Sequence, residues 1–164
     1  MSQVTSQQNA SQQNGSQQHS SATSQAEQQI RELVSQYVSA VTAKDVARIA
    51  SLYSDDVVAF DAILALQFIG KAAYMEHWQT CMGFAPGDMH FAMHQLTVEA
   101  TEQLAFSHSI SQCGCENADG DMQTGWMRST QCWRNTGDGW KIAHEHFSAP
   151  FDVETGQALC NLQP

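Results

Sequence analysis

The sequence predicts a single α+β domain in which helices come first and an antiparallel sheet follows. Apolar residues recur at three- and four-residue spacing in the first half of the 164-residue chain, whereas the second half holds four strand-like stretches separated by turn-rich segments. The length suits one domain with a proper core and is short for two. We therefore expect the helices to cover one face of a curved sheet that can enclose a cavity.

The first 25 residues differ in composition from the rest of the chain. They repeat Ser and Gln and contain almost no apolar residues, so they bury too little surface to offset the entropy of ordering. The composition predicts a disordered tail over 1–25, a domain over 26–153 and a C-terminal extension over 154–164.

Three helices are predicted before residue 84. The first covers residues 26–43, where one face carries Ile30, Leu33, Val34, Tyr37, Val38 and Val41. Asp45 is a candidate N-cap for a short second helix that ends near Ser54. Residues 71–83 return to helical spacing through Tyr74, Trp78 and Cys81, after two short strands predicted at 57–62 and 64–70.

Four consecutive strands are predicted in the second half of the chain. They cover residues 89–99, 104–113, 124–134 and 140–149, and the turn-rich sequences NADGD and NTGDG separate the later ones. Short turns between consecutive strands favour an antiparallel meander.

Alternation along these strands predicts one face that mixes large apolar groups with polar ones. On unbulged strands this face carries Phe106, His108, Ile110, Gln112, Trp126, Arg128, Thr130, Cys132, Trp140, Ile142, His144, His146 and Ser148. A dry core seldom contains such a mixture, because each buried polar group needs a partner, so we interpret the face as a pocket wall. The same alternation predicts that Glu145 points away from the histidines, toward solvent or a partner subunit.

Charge and targeting signals restrict the class of protein. Seventeen acidic residues against seven basic ones give a net charge of -10, which disfavours binding to nucleic acid or anionic membranes. The sequence shows neither a secretory signal nor an apolar stretch long enough for a membrane helix, so we expect a cytoplasmic location. The five scattered cysteines then indicate reduced thiols.

A metal site is the alternative interpretation of the histidines. His144 and His146 share a predicted face, and with a third ligand such as His108 they could hold zinc or iron. No carboxylate is clearly placed on that face to complete a set of metal ligands, so we expect neither a metal nor another cofactor.

Two stretches carry a resemblance to a known family. The segment QYVSAVTAKDVARIASLYSDDVVAFDA (36–62) and the ending DGWKIAHEHFSAPFD resemble the ketosteroid isomerase and SnoaL-like branch of the NTF2-like superfamily, over about residues 26–152. The resemblance implies a cone of helices packed on a strongly curved sheet around a pocket.

The resemblance also implies roles for individual residues. Asp61 matches the base of the isomerases, and Tyr37 matches the tyrosine that donates a hydrogen bond to the oxyanion. The second oxyanion donor of the isomerases, a protonated aspartate, has no counterpart, because GWMRSTQCWR holds Arg128, Ser129 and Thr130 instead. An arginine there would suit a substrate that carries a carboxylate.

Two functions follow as hypotheses. The first is a cofactor-independent isomerase or cyclase that abstracts a proton next to a carbonyl, with Asp61 as base and Tyr37, Arg128 and His146 as polarising or orienting groups. Its remaining ligand contacts would be His108, Thr130, His144, Trp126 and Trp78. The second is a ligand-binding or dimerisation module without turnover. In both cases we expect a homodimer formed through the outer face of the sheet, with Met127, Trp133 and Phe147 covered.

Overall fold

The computed structural model describes residues 5–164, with side chains from Gln25 onward and at Thr23. Three helices and six strands form an α+β domain, which confirms the predicted class. The helices are α1 (Thr5–Thr42), α2 (Val46–Leu52) and α3 (Lys71–Gly83); the strands are β1 (Tyr53–Phe60), β2 (Phe68–Ile69), β3 (Met89–Ala100), β4 (Leu104–Glu116), β5 (Met122–Asn135) and β6 (Trp140–Ser148). No helix in this part of the chain is long and apolar enough to cross a membrane.

Helix α1 is longer than the apolar pattern predicts. Its backbone is helical from Thr5, so most of the segment expected to be a disordered tail continues the helix, and residues 1–4 lie outside the described residues. Extending an existing helix costs far less free energy than starting one, and a Ser/Gln-rich extension carries no apolar stripe that would reveal it. Among the described side chains, the first that is buried in α1 is Ala26.

The six strands form one mixed sheet in the order β2-β1-β6-β5-β4-β3. Every neighbouring pair is antiparallel except β1 and β6, which run parallel. The first strand of the chain therefore lies beside the last one. Asp45 caps α2 as predicted, accepting a hydrogen bond from the Arg48 backbone N–H at 3.0 Å.

On β4 the inner face of the sheet is the one with small side chains, so the predicted choice of face on β4 and on its neighbour β5 is wrong. Ser107, Ser109, Ser111 and Ser129 are buried, and Ser129 pairs with Ser109 and Ser111 at 2.8 and 2.9 Å between hydroxyl oxygens. The helices bring large aromatic side chains to this interior, and the serines of β4 occupy the space that remains opposite them. Phe106 and His108 therefore lie on the outer face, where both are exposed.

A β-bulge at Ala143 reverses the faces within β6. Trp133 of β5 pairs with Ile142, but the preceding Cys132 pairs with His144, so Ala143 is an extra residue in the ladder. Glu145 consequently points inward with 0% of its surface exposed, and the prediction that it meets solvent is wrong. His146 lies on the outer face and is exposed.

The residues expected to lie under a partner subunit are also placed differently. Trp133 and Phe147 are buried inside the domain, and Met127 lines its interior cavity. These side chains therefore belong to the core of one chain rather than to its outer face.

Candidate functional site

An apolar cavity of about 90 Å³ lies between α3 and the inner face of the sheet. Its walls are mainly aromatic and thioether groups, from Trp78, Met82, Met89, Phe91, Met127 and Phe147. The polar groups that reach it include Asp61 and His77. A cavity of this size is smaller than the pockets of drug-sized ligands, which occupy roughly 300–1,000 Å³.

Asp61 follows the end of β1 and has three polar neighbours. Its Oδ1 accepts a hydrogen bond from the Ile63 backbone N–H at 3.1 Å, and its Oδ2 accepts one from the Tyr74 hydroxyl at 3.0 Å. His77 Nε2 lies 3.3 Å from the same Oδ2. The side chain of Asp61 is 9% exposed and that of His77 is 3% exposed, so the pair is almost fully removed from water.

Helix α3 supplies both side-chain partners of Asp61, Tyr74 and His77, and neither was predicted to belong to the site. Tyr74 and His77 are three residues apart and so share one face of the helix. That spacing is visible in the sequence, but it indicates contacts with Asp61 only once the loop after β1 is known to lie over this face of the helix.

Glu145 is the centre of a second, deeper group of hydrogen bonds. Its Oε1 accepts from Gln131 Nε2 at 2.7 Å. Its Oε2 faces three phenols: it accepts from the Tyr53 hydroxyl, lies 3.1 Å from the Tyr74 hydroxyl and 3.5 Å from the Tyr37 hydroxyl. We call this set of Glu145, Gln131 and the three tyrosines the Glu145 cluster.

Burial governs the protonation of the Glu145 cluster. Loss of solvation raises the pKa of Glu145 to about 7, against the opposing effect of hydrogen bonds from Tyr53 and Gln131. The nearby charge of Asp61 raises it further. Burial also raises the pKa values of Tyr37, Tyr53 and Tyr74 well above the usual range, with Glu145 as the next cause, so the three phenols stay neutral donors.

Tyr37 belongs to the Glu145 cluster rather than to the cavity wall. It is fully buried, its hydroxyl points to Glu145, and the Tyr53 hydroxyl lies 3.4 Å away. The structure thus connects Tyr37 with Asp61 only through the other members of the cluster. Its predicted role as a donor to an oxyanion stays a prediction.

Trp78 lies in the cavity wall, and its indole N–H is unusual. Only 7% of Trp78 is exposed, and Nε1 is the one buried side-chain nitrogen or oxygen without a hydrogen-bond partner among the described residues. An unpaired buried donor costs about 1–3 kcal/mol. The other two buried indoles are those of Trp133, whose N–H donates to Ser107 Oγ at 3.1 Å, and Trp140, whose N–H donates to Gln29 Oε1 at 3.0 Å.

The remaining predicted site residues lie on the opposite face of the sheet from Asp61. Thr130 pairs in register with both His108 and His146, which places the three side chains in one row across the strands. His144 Nδ1 lies 2.6 Å from the Val58 carbonyl oxygen and donates to it, because a carbonyl can only accept. Trp126 and Arg128 lie farther along the same face. The sheet therefore separates all six from the cavity, and their predicted roles stay predictions.

The described side chains also bear on metal coordination and on the reactivity of Cys81. Within residues 5–164 as described, no group of three His, Cys, Asp or Glu side chains could hold a metal ion. Burial raises the pKa of the Cys81 thiol to about 11, so it is a weak nucleophile. Cys81 Sγ lies 3.5 Å from His77 Nε2, the nitrogen that also faces Asp61, and 3.8 Å from His77 Nδ1.

The profile of the SnoaL-like domain matches residues 30–152, most of the chain. The chain belongs to the SnoaL-like family. This confirms the resemblance found in the two sequence segments, and it places Asp61, the Glu145 cluster and the cavity within one SnoaL-like domain. No curated protein matches the chain.

Solved structures extend the relationship to the NTF2-like superfamily. An NTF2-like protein of unknown function from Pseudomonas putida KT2440 is 48% identical, with a TM-score of 0.81 over 86% of this chain and 98% of that one. An NTF2-like superfamily protein from Salmonella enterica serovar Typhimurium LT2 is 20% identical, with a TM-score of 0.69 over 82% and 98% of the two chains. A ketosteroid isomerase-like protein from Erwinia carotovora atroseptica is 19% identical, with a TM-score of 0.63 over 74% and 94%.

These neighbours confirm the predicted NTF2-like fold of the SnoaL-like domain: helices packed on a curved, mixed sheet of six strands that is not closed into a barrel. The two neighbours below 25% identity share the fold alone. The function of the domain must therefore be argued from its own side chains.

Proposed function

We propose that this SnoaL-like protein is a cofactor-independent enzyme that moves a proton next to the carbonyl group of a small molecule, as an isomerase or cyclase does. The observation that carries the proposal is the position of Asp61, a carboxylate in the wall of an apolar cavity with Tyr74 and His77 at hydrogen-bond distance. A carboxylate shielded from water can accept a proton from carbon, and fixed neighbours hold it in place for that transfer.

The cavity favours an uncharged substrate. Apart from Asp61 and His77, its wall is built from apolar side chains, thiols and one serine hydroxyl. Arg128, which suggested a substrate with a carboxylate, lies on the other face of the sheet, so Asp61 would repel such a substrate without a lysine or arginine to balance it. A compact ketone or enone with one hydrogen-bond acceptor fits both the volume and the chemistry.

Trp78 is the donor that we assign to the acceptor of such a substrate. Trp78 lines the cavity and its N–H is buried and unpaired, so a carbonyl oxygen that reaches the N–H gains a hydrogen bond and relieves the cost of the unpaired group. A donor to the carbonyl also stabilises the enolate that forms when Asp61 removes the proton.

Trp78→Phe is expected to lower the rate of proton transfer by roughly 10²–10³-fold, the usual effect of losing one donor to an oxyanion. The measurement is the rate with a compact ketone, and Trp140→Phe is the matched control, because that indole is equally buried but bonded to Gln29. Equal rates in the two variants would contradict the assignment of Trp78.

The proposal is tested by proton exchange, which requires no knowledge of the natural substrate. Cyclic and open-chain ketones and enones are incubated with the protein in deuterium oxide, and loss of the signals of protons next to the carbonyl is followed by NMR. Exchange above the buffer rate supports the proposal. Binding of these compounds without any exchange would favour a ligand-binding module instead.

We also propose that two copies pair through the outer face of the sheet. Phe60, Leu104 and Phe106 are 38%, 60% and 39% exposed there, and large apolar side chains that remain in water mark surfaces for association. A second copy would also cover the row of His108, Thr130 and His146.

Phe106→Glu is therefore expected to convert a dimer into a monomer, because the charge would be buried without a partner. Sedimentation velocity over a range of protein concentrations measures the change. Phe84→Glu is the control, since Phe84 is 67% exposed next to α3 on the helical side. A wild-type protein that sediments as a monomer at every concentration would refute the pairing.

The cysteines support the location that we propose, the cytoplasm. All five are free thiols, at Cys81, Cys113, Cys115, Cys132 and Cys160. Unpaired thiols are usual in a reducing compartment.

A further inference from the structure

We propose that Glu145 exchanges a proton with Asp61 through the Tyr74 hydroxyl, so that a second, buried carboxyl group restores the protonation state of the base. The inference rests on the proposed function and adds a residue to it. Glu145 does not line the cavity, so it is a positioning and proton-exchanging residue rather than one that touches the substrate.

The geometry of Tyr74 carries the inference. Its hydroxyl lies 3.0 Å from Asp61 Oδ2 and 3.1 Å from Glu145 Oε2. A phenol has one proton to donate, so it can donate to only one of the two carboxyl groups at a time. The other carboxyl group can then hold a proton of its own and donate to the phenol oxygen.

The surroundings favour one proton shared between the two carboxyl groups. Glu145 faces Tyr37 from α1, Tyr53 from β1, Tyr74 from α3 and Gln131 from β5, and Asp61 with His77 lies beyond Tyr74. None of the hydrogen bonds described for Glu145 comes from a lysine or arginine. Two carboxyl groups on either side of one buried phenol compete for its proton, and a second negative charge beside the first is costly.

The step moves one proton and leaves Tyr74 unchanged. After Asp61 has taken a proton from carbon, it passes that proton to the Tyr74 oxygen while the phenol proton moves to the Glu145 carboxylate. Asp61 is then a carboxylate again and Glu145 is a neutral acid. The reverse transfer returns the proton to Asp61 for delivery to another atom of the substrate. Because burial raises the pKa of Glu145 to about 7, both of its forms are populated near neutral pH.

The test is a titration of the two carboxyl groups by NMR on isotope-labelled side-chain carboxyl carbons. Asp61→Asn is expected to lower the pKa of Glu145, because it removes a like charge and replaces a carboxylate that competes for the Tyr74 proton with a weaker amide acceptor. In a Tyr74→Phe background, we expect that lowering to shrink by at least half, since only the through-space effect of the charge remains.

Tyr53→Phe is the matched control background. Tyr53 donates to Glu145 and has no hydrogen bond to Asp61 among those described, so Asp61→Asn should lower the Glu145 pKa as much in this background as in the wild type. The same lowering in all three backgrounds would overturn the inference. Should Tyr74→Phe fail to fold, the titration curves of the wild type are the test. Each carboxyl carbon should then show two titration steps, and independent one-step curves would overturn the inference.

Failure of the inference and failure of the proposed function are separable, because the titration needs no substrate. Coupled carboxyl groups in a protein that exchanges no ketone protons would support the inference and refute the enzyme. Proton exchange in a protein whose carboxyl groups titrate independently would support the enzyme and refute the inference.

Discussion

Asp61→Asn is expected to reduce the exchange of protons next to a ketone carbonyl by roughly 10²–10⁴-fold, the range that a general base contributes. Asparagine has nearly the same shape, and its amide oxygen can still accept from the Tyr74 hydroxyl. It cannot accept a proton from carbon. The change therefore removes the proposed chemistry while it keeps the volume of the cavity wall.

The measurement is the NMR exchange rate of the variant beside that of Asp56→Asn. Asp56 lies in β1 and is exposed, and its ion pair with Arg134 at 3.0 Å is at the surface, so its loss should leave the exchange rate unchanged. Ketone affinity should stay similar in both variants. Full activity of Asp61→Asn would show that another group is the base.

Glu145→Gln is expected to remove a large pH dependence of stability. The pKa of Glu145 is raised from 4.5 to about 7 in the folded state, so between these values the folded protein binds more protons than the unfolded one. The free energy of unfolding therefore falls as pH rises. The contribution is fully present below about pH 4.5 and is lost as pH passes about 7, a change on the order of 3 kcal/mol for a fully buried group.

Urea unfolding between about pH 5 and about pH 8 measures this change, and the quantity to compare is the slope of stability against pH. Glutamine keeps the size of the side chain and cannot ionise, so the variant should lack the fall that the wild type shows. Glu99→Gln on β3 is the control, since Glu99 is exposed. Parallel curves for Glu145→Gln and the wild type would mean that Glu145 stays ionised when folded.

The helices and the strands after residue 83 could be predicted from the sequence because each leaves a local signal. The bounds of α3 agree with the helical spacing through Trp78, and the long strands begin close to where the turn residues end. The N-terminal part of α1 could not be predicted, since its Ser/Gln-rich sequence contains no periodic apolar pattern.

The candidate site was predictable only in part. Asp61 and Trp78, both named from the sequence, line the cavity, and their predicted roles stay predictions. The positions of His77 and Glu145 in the site depend on tertiary structure. His77 lies beside Asp61 because of the path of the loop after β1, and Glu145 points inward because of an extra residue in β6. Which face of β4 lies inside depends on the bulk of the helices packed against it, a property that alternation alone does not reveal.

The extra residue at Ala143 has a consequence for comparing relatives of this chain. Because it shifts the side-chain alternation by one position, the carboxyl group of Glu145 enters the interior and the imidazoles of His144 and His146 face outward. In a relative without this extra residue, the side chains at the aligned positions would point to the opposite faces of the sheet. Residues aligned without a gap across this strand can therefore stand on opposite sides of the sheet, and shared letters there do not imply shared chemistry.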